Sequence, residues 1–172
     1  RNTLHDCFII TEDGRYTGLG NGHELMRIIT ERTQTRLFQL AHYDALTGLP
    51  NRILLSDRLA QALVKSDRSK RPVGVLYVDL DHLKRINDSL GHAMGDQVIA
   101  AVGARLAGAV RTGDTVARVG GDEFVVVLAD LKSEDDVVLV AAKVQNFVGT
   151  PLKIESHEFV LTASTGVALY PK

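Results

Sequence analysis

Two acidic residues follow two glycines in the segment RVGGDEF, residues 118–124. Glycine has no Cβ, so the backbone amides of Gly120 and Gly121 can approach a phosphate closely. The adjoining carboxylates of Asp122 and Glu123 are hard oxygen ligands of the kind that Mg²⁺ prefers. The flanking runs are strand-like, which predicts a hairpin tip with positive φ angles at the glycines. The alternative is an exposed acidic turn, since residues 122 and 123 point to opposite faces if both have strand geometry.

A second pair of acids ends the apolar run from Val73 to Val78. The run is continuous and rich in β-branched residues, as in a central strand buried on both faces, and open α/β arrangements bind ligands at the carboxyl ends of such strands. One or two carboxylates, with substrate phosphates and water, complete a typical Mg²⁺ site, so Asp79 and Asp122 from neighbouring strands would suffice. Asp81 is instead expected to cap the next helix.

The polar segment NDSLGHAMGD, residues 87–96, links two predicted helices. The Asp96 carboxylate can accept hydrogen bonds from N1 and N2 of a guanine, which adenine does not offer in that pattern. The Asn87 amide can both donate and accept, so the pair predicts selection of guanine. The alternative is that Asp96 is the N-cap of a helix beginning there and that Gly91 ends the preceding helix.

The pattern around these residues predicts an α+β domain in which helices cover one mixed sheet. Asn51 is expected to cap an amphipathic helix, and Ser133 to cap another that runs to about Val148. Residues 115–128 are expected to form a hairpin, and residues 151–170 a further one.

The first part of the chain has a different character. Residues 7–20 predict a β-hairpin that turns at Glu12, Asp13 and Gly14. From His23 to about Tyr43 the apolar spacing predicts a single amphipathic connecting helix. That helix either packs on its own domain or pairs with a second copy as a short coiled coil. Fewer than four clean heptads are present, so the sequence does not decide between the two.

Composition narrows the function classes. The chain has 172 residues, is 45% hydrophobic and carries a formal net charge of -1 with scattered Lys and Arg, so bulk nucleic acid and anionic membrane surfaces are not expected partners. The single cysteine, Cys7, excludes an internal disulfide and favours the cytoplasm. No apolar run approaches the length of a membrane span.

Taken together, three motifs resemble the GGDEF family of diguanylate cyclases: DALTGLPNR at 44–52, DLDHLKRINDSLGHAMGD at 79–96 and RVGGDEF at 118–124. The resemblance covers about residues 42–171 and implies a nucleotidyl-cyclase-like, palm-like fold. It implies three segments: residues 1–22 as the tail of an upstream input domain, residues 23–43 as a signalling helix, and residues 44–172 as a GGDEF domain without its C-terminal helix.

The resemblance also assigns roles to single residues. It implies Mg²⁺ (or Mn²⁺) bound by Asp79 and Asp122, with the backbone carbonyl of Leu80 assisting and Glu123 close to the metals. The resemblance also implies that Gly120 and Gly121 lie along the triphosphate. It implies that Asn87 and Asp96 hold the guanine.

The implied reaction joins two GTP molecules into cyclic di-GMP with release of pyrophosphate, and it needs a homodimer in which two GGDEF domains face each other. Arg111 and Asp114, within RTGD, resemble the family's RxxD site for inhibition by the product. The alternative interpretation of these two residues is that they form a charged turn after a helix. For the whole domain, the alternatives are a module that senses GTP or cyclic di-GMP for a neighbouring domain, such as an EAL phosphodiesterase, and a dimerising scaffold.

Overall fold

The structure, a computed structural model, describes residues 7–171. Residues 1–6 of the expected input-domain tail, and Lys172, lie outside the described residues. The chain divides into two compact units, one ending at Ala41 and the other beginning at His42.

The first unit is a hairpin followed by a helix, as predicted. Strands β1 (Cys7–Glu12) and β2 (Arg15–Asn21) pair in antiparallel fashion, and Asp13 and Gly14 between them both have positive φ angles. Helix α1 (Gly22–His42) follows directly and has no buried residue. Its exposed large apolar side chains are Leu25, Met26, Ile28, Ile29, Leu37, Phe38 and Leu40.

The second unit is an α+β sandwich around a four-stranded sheet. The strand order in that sheet is β4-β5-β3-β8, and all three pairings are antiparallel, whereas the sequence predicted a mixed sheet. Strands β6 and β7 form a separate short hairpin. The elements are α2 (Arg52–Ser69), β3 (Val73–Leu80), α3 (Leu83–Leu90), α4 (His92–Ala109), β4 (Thr115–Gly120), β5 (Glu123–Leu128), α5 (Asp135–Gly149), β6 (Leu152–Ile154), β7 (His157–Phe159) and β8 (Ala163–Tyr170).

The sheet has an apolar core on each face. One core joins Leu76, Val78 and Phe124 to residues of α4 and α5, and the other joins residues of α2 to alternate positions of β3, β4 and β5. Phe124 is fully buried, and burial of such a side chain stabilises the fold by about 1.5–3 kcal/mol. On the face that packs against α2, the apolar core does not extend to Tyr77, whose side chain is 43% exposed. The expectation that β3 is buried on both faces is therefore wrong at its carboxyl end.

The predicted helix start at Asp96 is wrong, because α4 begins four residues earlier. Gly91 ends α3 with a φ of 86°, and its carbonyl accepts from the amides of Met94 and Gly95, so the next helix starts at once. Asp96 therefore lies inside α4 and is not an N-cap.

Two smaller expectations are also corrected. Ser133 does not cap α5 through its side chain; the carboxylate of Asp136 instead accepts from the amides of Lys132 and Ser133. The segment 151–170 is not one hairpin, because β8 leaves the β6–β7 pair and joins the main sheet beside β3.

Candidate functional site

The acidic ends of two neighbouring strands meet at one edge of the sheet. In the antiparallel pairing of β3 with β5, Asp79 lies directly opposite Glu123. Directly opposed residues share one face of a sheet, so these two carboxylates lie on the α2 face. Asp122 precedes β5 in the turn, and its carbonyl accepts from the amide of Leu80 at 3.1 Å. The sequence pattern allowed residues 122 and 123 to point to opposite faces of the sheet. Both nevertheless lie close to Asp79.

The electrostatics of Asp79 reflect this convergence. Partial burial, followed by the negative charges of Asp122, Glu123 and Asp81, raises the pKa of Asp79 above its ordinary value. Like charges held close together disfavour the ionised form, and a bound cation would remove that repulsion.

The backbone of Leu80 faces the same place. Its amide donates to the carbonyl of Asp122. In an antiparallel strand the N–H and C=O of one residue point to the same side, so the Leu80 carbonyl is also directed towards the hairpin tip. A carbonyl oxygen there adds a neutral hard ligand to the neighbouring carboxylates.

The two glycines at the tip serve different purposes, and neither has a φ angle in the left-handed region, contrary to the sequence prediction. The register of the hairpin shifts between Arg118 and Gly120. A Cβ at Gly120 would lie 3.1 Å from Oε2 of Glu123, which is a tight approach. A Cβ at Gly121 would meet open space, so its backbone is accessible to a ligand.

A cleft of about 380 Å³ adjoins the tip, with both glycines in its wall. Two arginines contribute to it. Arg118 donates to the carbonyl of Gly121 through Nε at 3.1 Å and through Nη2 at 2.8 Å, and it forms an ion pair with Asp44. Arg52 donates to the carbonyl of Val119 at 3.4 Å. The cleft can thus admit an anionic group beside the glycines, although Asp79, Asp122 and Glu123 are not among its lining residues.

Tyr77 is a site residue that sequence reasoning missed. It lies two positions before Asp79 on the same face of β3, which brings its hydroxyl near the carboxylate of Glu123. Interaction with that carboxylate, together with desolvation, raises the pKa of Tyr77. Period-two alternation could have found it, because a tyrosine two residues before a terminal acid shares the face of that acid.

The sequence predicted that Asp81 caps α3, and this prediction is wrong. The N-cap position of α3 is His82, which makes no side-chain capping bond. The Asp81 carboxylate instead accepts from the hydroxyls of Thr162 at 2.7 Å and Ser164 at 2.9 Å, and these bonds lower the pKa of Asp81. The capping expectation fails because both partners come from the start of β8 and the residue before it, more than 80 residues later in the chain.

The predicted guanine pair lies on the two adjacent helices α3 and α4. Oδ1 of Asn87 is buried without a hydrogen-bond partner. The same oxygen lies against Gly95, where a Cβ would come within 1.8 Å of it, and Asp96 follows Gly95 with an exposed side chain. An unsatisfied buried acceptor costs free energy unless a ligand or water completes it. The two residues are therefore close together in the fold.

The RxxD pair forms a tied turn. Asp114 is 5% exposed in its side chain and accepts from the amide of Ala129 and from Nε of Arg111, both at 3.3 Å. The Arg111 guanidinium also donates to the carbonyls of Ala129 and Asp130. Its side chain is 56% exposed, so one side of the guanidinium is open to a ligand. Clefts of about 350 and 360 Å³ flank the turn.

The donor set at the strand ends suits Mg²⁺ or Mn²⁺ bound together with a nucleotide. Within residues 7–171 no three His, Cys, Asp or Glu side chains are arranged as a preformed metal centre. Mg²⁺ usually takes only one or two carboxylates and completes its shell with phosphate oxygens and water. Asp79, Asp122 and the Leu80 carbonyl fit that requirement. Across the same residues, no helix has both the length and the apolar character needed to cross a membrane.

Comparison with known proteins agrees with this geometry. The family described as "Diguanylate cyclase, GGDEF domain" matches residues 41–172. The bifunctional diguanylate cyclase/cyclic di-GMP phosphodiesterase MucR of Pseudomonas aeruginosa is 44% identical over 140 residues, which are 81% of this chain and 20% of MucR. The cyclic di-GMP phosphodiesterase NbdA of the same organism is 40% identical over 141 residues, 82% of this chain and 18% of NbdA.

The fold agrees as well. A truncated TpbB from Pseudomonas aeruginosa, comprising only the GGDEF domain, superimposes with a TM-score of 0.73 and 40% identity, covering 76% of each chain. This chain thus spans about a fifth of the length of MucR and of NbdA. With its motifs, its antiparallel sheet and these similarities, the chain belongs to the GGDEF diguanylate cyclase family.

Proposed function

We propose that the second unit is a diguanylate cyclase module that condenses two GTP molecules into cyclic di-GMP and releases two pyrophosphates. The observation that carries this proposal is the pairing of Asp79 with Glu123, with Asp122 close enough to raise the pKa of Asp79. Glycine backbone beside this cluster leaves room for phosphates. A reaction on nucleoside triphosphates needs this combination of hard anionic ligands and accessible amides.

Residue roles follow from these positions. Asp79, Asp122 and the Leu80 carbonyl would hold Mg²⁺ or Mn²⁺, with Glu123 beside them. The bound ion supplies Lewis acidity, which lowers the pKa of a 3'-hydroxyl and neutralises phosphate charge. Gly120 and Gly121 present their backbone to the triphosphate, and their amides orient the α-phosphate for in-line attack.

The guanine base is held by residues of helices α3 and α4. The unpartnered oxygen of Asn87 accepts from a guanine donor, and the exposed carboxylate of Asp96 accepts from N1 and N2. Adenine lacks this donor pattern, so the pair selects GTP over ATP. Because the buried oxygen of Asn87 stays without a partner when the wrong base binds, the pair favours guanine.

Each domain holds one GTP, so the reaction requires two domains. The 3'-hydroxyl of each GTP attacks the α-phosphate of the other; two P–O bonds to pyrophosphate break and two 3'-5' phosphodiester bonds form. We propose that residues 1–22 belong to an input domain and that the helix of residues 23–43 carries its signal. The exposed apolar side chains of α1 favour pairing with a second copy, since covering them removes apolar surface from water.

Arg111 and Asp114 are proposed as the site of product inhibition. The exposed side of the Arg111 guanidinium can bind a phosphate or guanine edge of cyclic di-GMP. Asp114 already holds Arg111 and the β5 end in place, so its contribution is to orient the arginine. A GTP-consuming domain of this kind is proposed to work in the cytoplasm.

The second candidate is a module that binds GTP or cyclic di-GMP without turnover and regulates a neighbouring domain. It is favoured by the similarity to NbdA, which is described as a phosphodiesterase. In this case the same residues bind nucleotide, but no pyrophosphate is released.

One experiment separates the two candidates. The purified protein is incubated with GTP and Mg²⁺, and cyclic di-GMP and pyrophosphate are measured together with nucleotide binding. The cyclase releases both products, and Asp79→Asn abolishes that release. Asp57→Asn, in an exposed carboxylate of α2 that accepts a hydrogen bond from Gln61, serves as the matched control and retains it. Tight GTP binding with no pyrophosphate supports the sensor and refutes the cyclase.

A further inference from the structure

The corner after β3 is fastened to β8 by one side chain. Asp81 accepts from the hydroxyls of Thr162 at 2.7 Å and Ser164 at 2.9 Å, one on each carboxylate oxygen. Its own amide donates to the carbonyl of Thr162 at 2.9 Å. These three bonds join Asp81, directly after β3, to Thr162, directly before β8, and to Ser164 in β8. Hydrogen bonds to an ionised carboxylate are the stronger kind.

These bonds lie beside the proposed metal ligands. In the β3–β8 pairing, Asp79 lies opposite Ser164 and Leu80 lies opposite Ala163. From the other side, the Leu80 amide is held by the carbonyl of Asp122. The strand end that carries the Asp79 carboxylate is therefore fixed on both edges, and Asp81 supplies the side-chain bonds on the β8 edge.

Each oxygen of the Asp81 carboxylate accepts a hydrogen bond from one of these hydroxyls, and the two bonds fix its orientation towards Thr162 and Ser164. Asp79 ends the β3–β5 ladder opposite Glu123, whereas Asp81 lies two positions beyond that last pair. The side-chain bonds of Asp81 therefore connect the end of β3 to the start of β8.

We propose that Asp81 is a positioning residue that holds the Asp79 carboxylate and the Leu80 carbonyl in place for the divalent ion, without contacting the ion, by tying the β3 end to Thr162 and Ser164. The inference rests on the proposed function, because the ion and the nucleotide define what is being positioned. Outer partners of metal ligands typically change metal affinity by about 10–100-fold when they are removed.

Three variants of the purified protein test this positioning role. Asp81→Ala removes all side-chain bonds. The double variant Thr162→Val with Ser164→Ala removes the hydroxyls and leaves the carboxylate. Asp81→Asn keeps the shape, one acceptor, and a donor that either hydroxyl oxygen can accept. The readouts are the Mg²⁺ concentration for half-maximal cyclic di-GMP synthesis, the affinity for Mn²⁺ with a non-hydrolysable GTP analogue, and the affinity for the nucleotide alone.

If Asp81 is a positioning residue, Asp81→Ala and the hydroxyl double variant should both raise the half-maximal Mg²⁺ concentration about tenfold. Nucleotide affinity without metal stays unchanged, and Asp81→Asn restores most of the metal affinity. If Asp81→Asn is as damaging as Asp81→Ala while the hydroxyl double variant equals the wild type, Asp81 is a metal ligand and the proposal is wrong. Wild-type behaviour of all three variants also refutes it.

Amide hydrogen exchange at residues 79–81 and 162–164, measured without nucleotide or metal, separates this inference from the proposed function. Faster exchange there in Asp81→Ala and in the hydroxyl double variant supports the positioning role even if the wild type makes no cyclic di-GMP, which would refute only the cyclase. Unchanged exchange refutes the positioning role. Should Asp81→Ala not fold, the other two variants still give the decision.

Discussion

The guanidinium of Arg118 and the carboxylate of Asp44 form a two-point ion pair, with Nη1 at 3.1 and 3.2 Å from the two oxygens, across 74 positions of sequence. Arg118 also donates to the carbonyl of Gly121, so the loop that begins the second unit is tied directly to the glycine tip. Both side chains are largely buried, at 13% and 24% exposure, which protects the pair from solvent.

The first prediction concerns Asp44→Asn. Burial would raise the pKa of Asp44, but hydrogen bonds from Thr47 and Arg118 outweigh it and hold the pKa below its ordinary value. A depressed folded-state pKa contributes stability above the ordinary pKa, and that stability is lost as the pH falls through the folded value. The variant should lose on the order of 1–2 kcal/mol at pH 7 in urea unfolding.

The pH dependence provides the check. The gap between wild type and Asp44→Asn should be constant from about pH 5 to 7 and should close below about pH 4, where the wild-type carboxylate also becomes neutral. Asp57→Asn, in an exposed carboxylate, should change the stability little at any pH. A gap that is unchanged at low pH would mean that the ion pair does not stabilise the fold.

The second prediction concerns Asp79→Asn. The raised pKa of Asp79 means that its ionised form is disfavoured in the folded state, so its cost is present at neutral pH and disappears as the pH falls. Removing the charge should raise the Tm of the metal-free protein, on the order of 2 °C. Addition of Mg²⁺ with a GTP analogue should raise the Tm of the wild type only. A metal-free variant less stable than the wild type would contradict this account.

The third prediction uses two glycines of α4. A Cβ at Gly95 would lie 1.8 Å from Oδ1 of Asn87 and must displace that side chain, whereas a Cβ at Gly108 would meet nothing within 4 Å. Gly95→Ala should weaken GTP binding about tenfold or more, because the guanine loses an acceptor. Gly108→Ala should leave GTP affinity unchanged and stabilise the helix slightly. Isothermal titration with GTP and ATP measures both. Equal GTP affinity in the two variants would exclude Asn87 from the base site.

The fourth prediction concerns Arg111→Ala. Loss of the guanidinium should relieve inhibition by cyclic di-GMP with little change in the initial rate, because Arg111 bonds to Asp114, Ala129 and Asp130, which are not proposed metal ligands. Arg15→Ala, in an exposed arginine of β2, should leave the inhibition intact. Initial-rate assays with added cyclic di-GMP measure the effect, and unchanged inhibition in Arg111→Ala would refute the product site.

Local patterns in the sequence predicted most of the elements and the antiparallel hairpin around Gly120 and Gly121. They succeeded where the cause is local: Asn51 does cap α2, accepting from the amides of Ile53 and Leu54. They failed where another segment supplies the partner. Asp81 was expected to cap a helix because helix caps are local, but its partners are Thr162, just before β8, and Ser164, in β8.

The backbone of the hairpin tip was also beyond prediction. Paired glycines suggested positive φ angles, yet neither has one, and the register shifts after Arg118. The start of α4 at His92 depended on the φ of 86° at Gly91, which no residue pattern specifies. The Arg118–Asp44 pair joins positions too distant in sequence for any spacing rule to connect.

The central claim is that Asp79 and Asp122 act together on one divalent ion bound to a guanosine nucleotide. The most direct measurement is Mn²⁺ affinity, by electron paramagnetic resonance with a non-hydrolysable GTP analogue, for wild type, Asp79→Asn, Asp122→Asn and the double variant. Ligands of one ion act as a unit, so each single variant should lose most of the affinity and the double variant little more. Affinity that is unchanged in either single variant, or losses that simply add, would contradict the shared site.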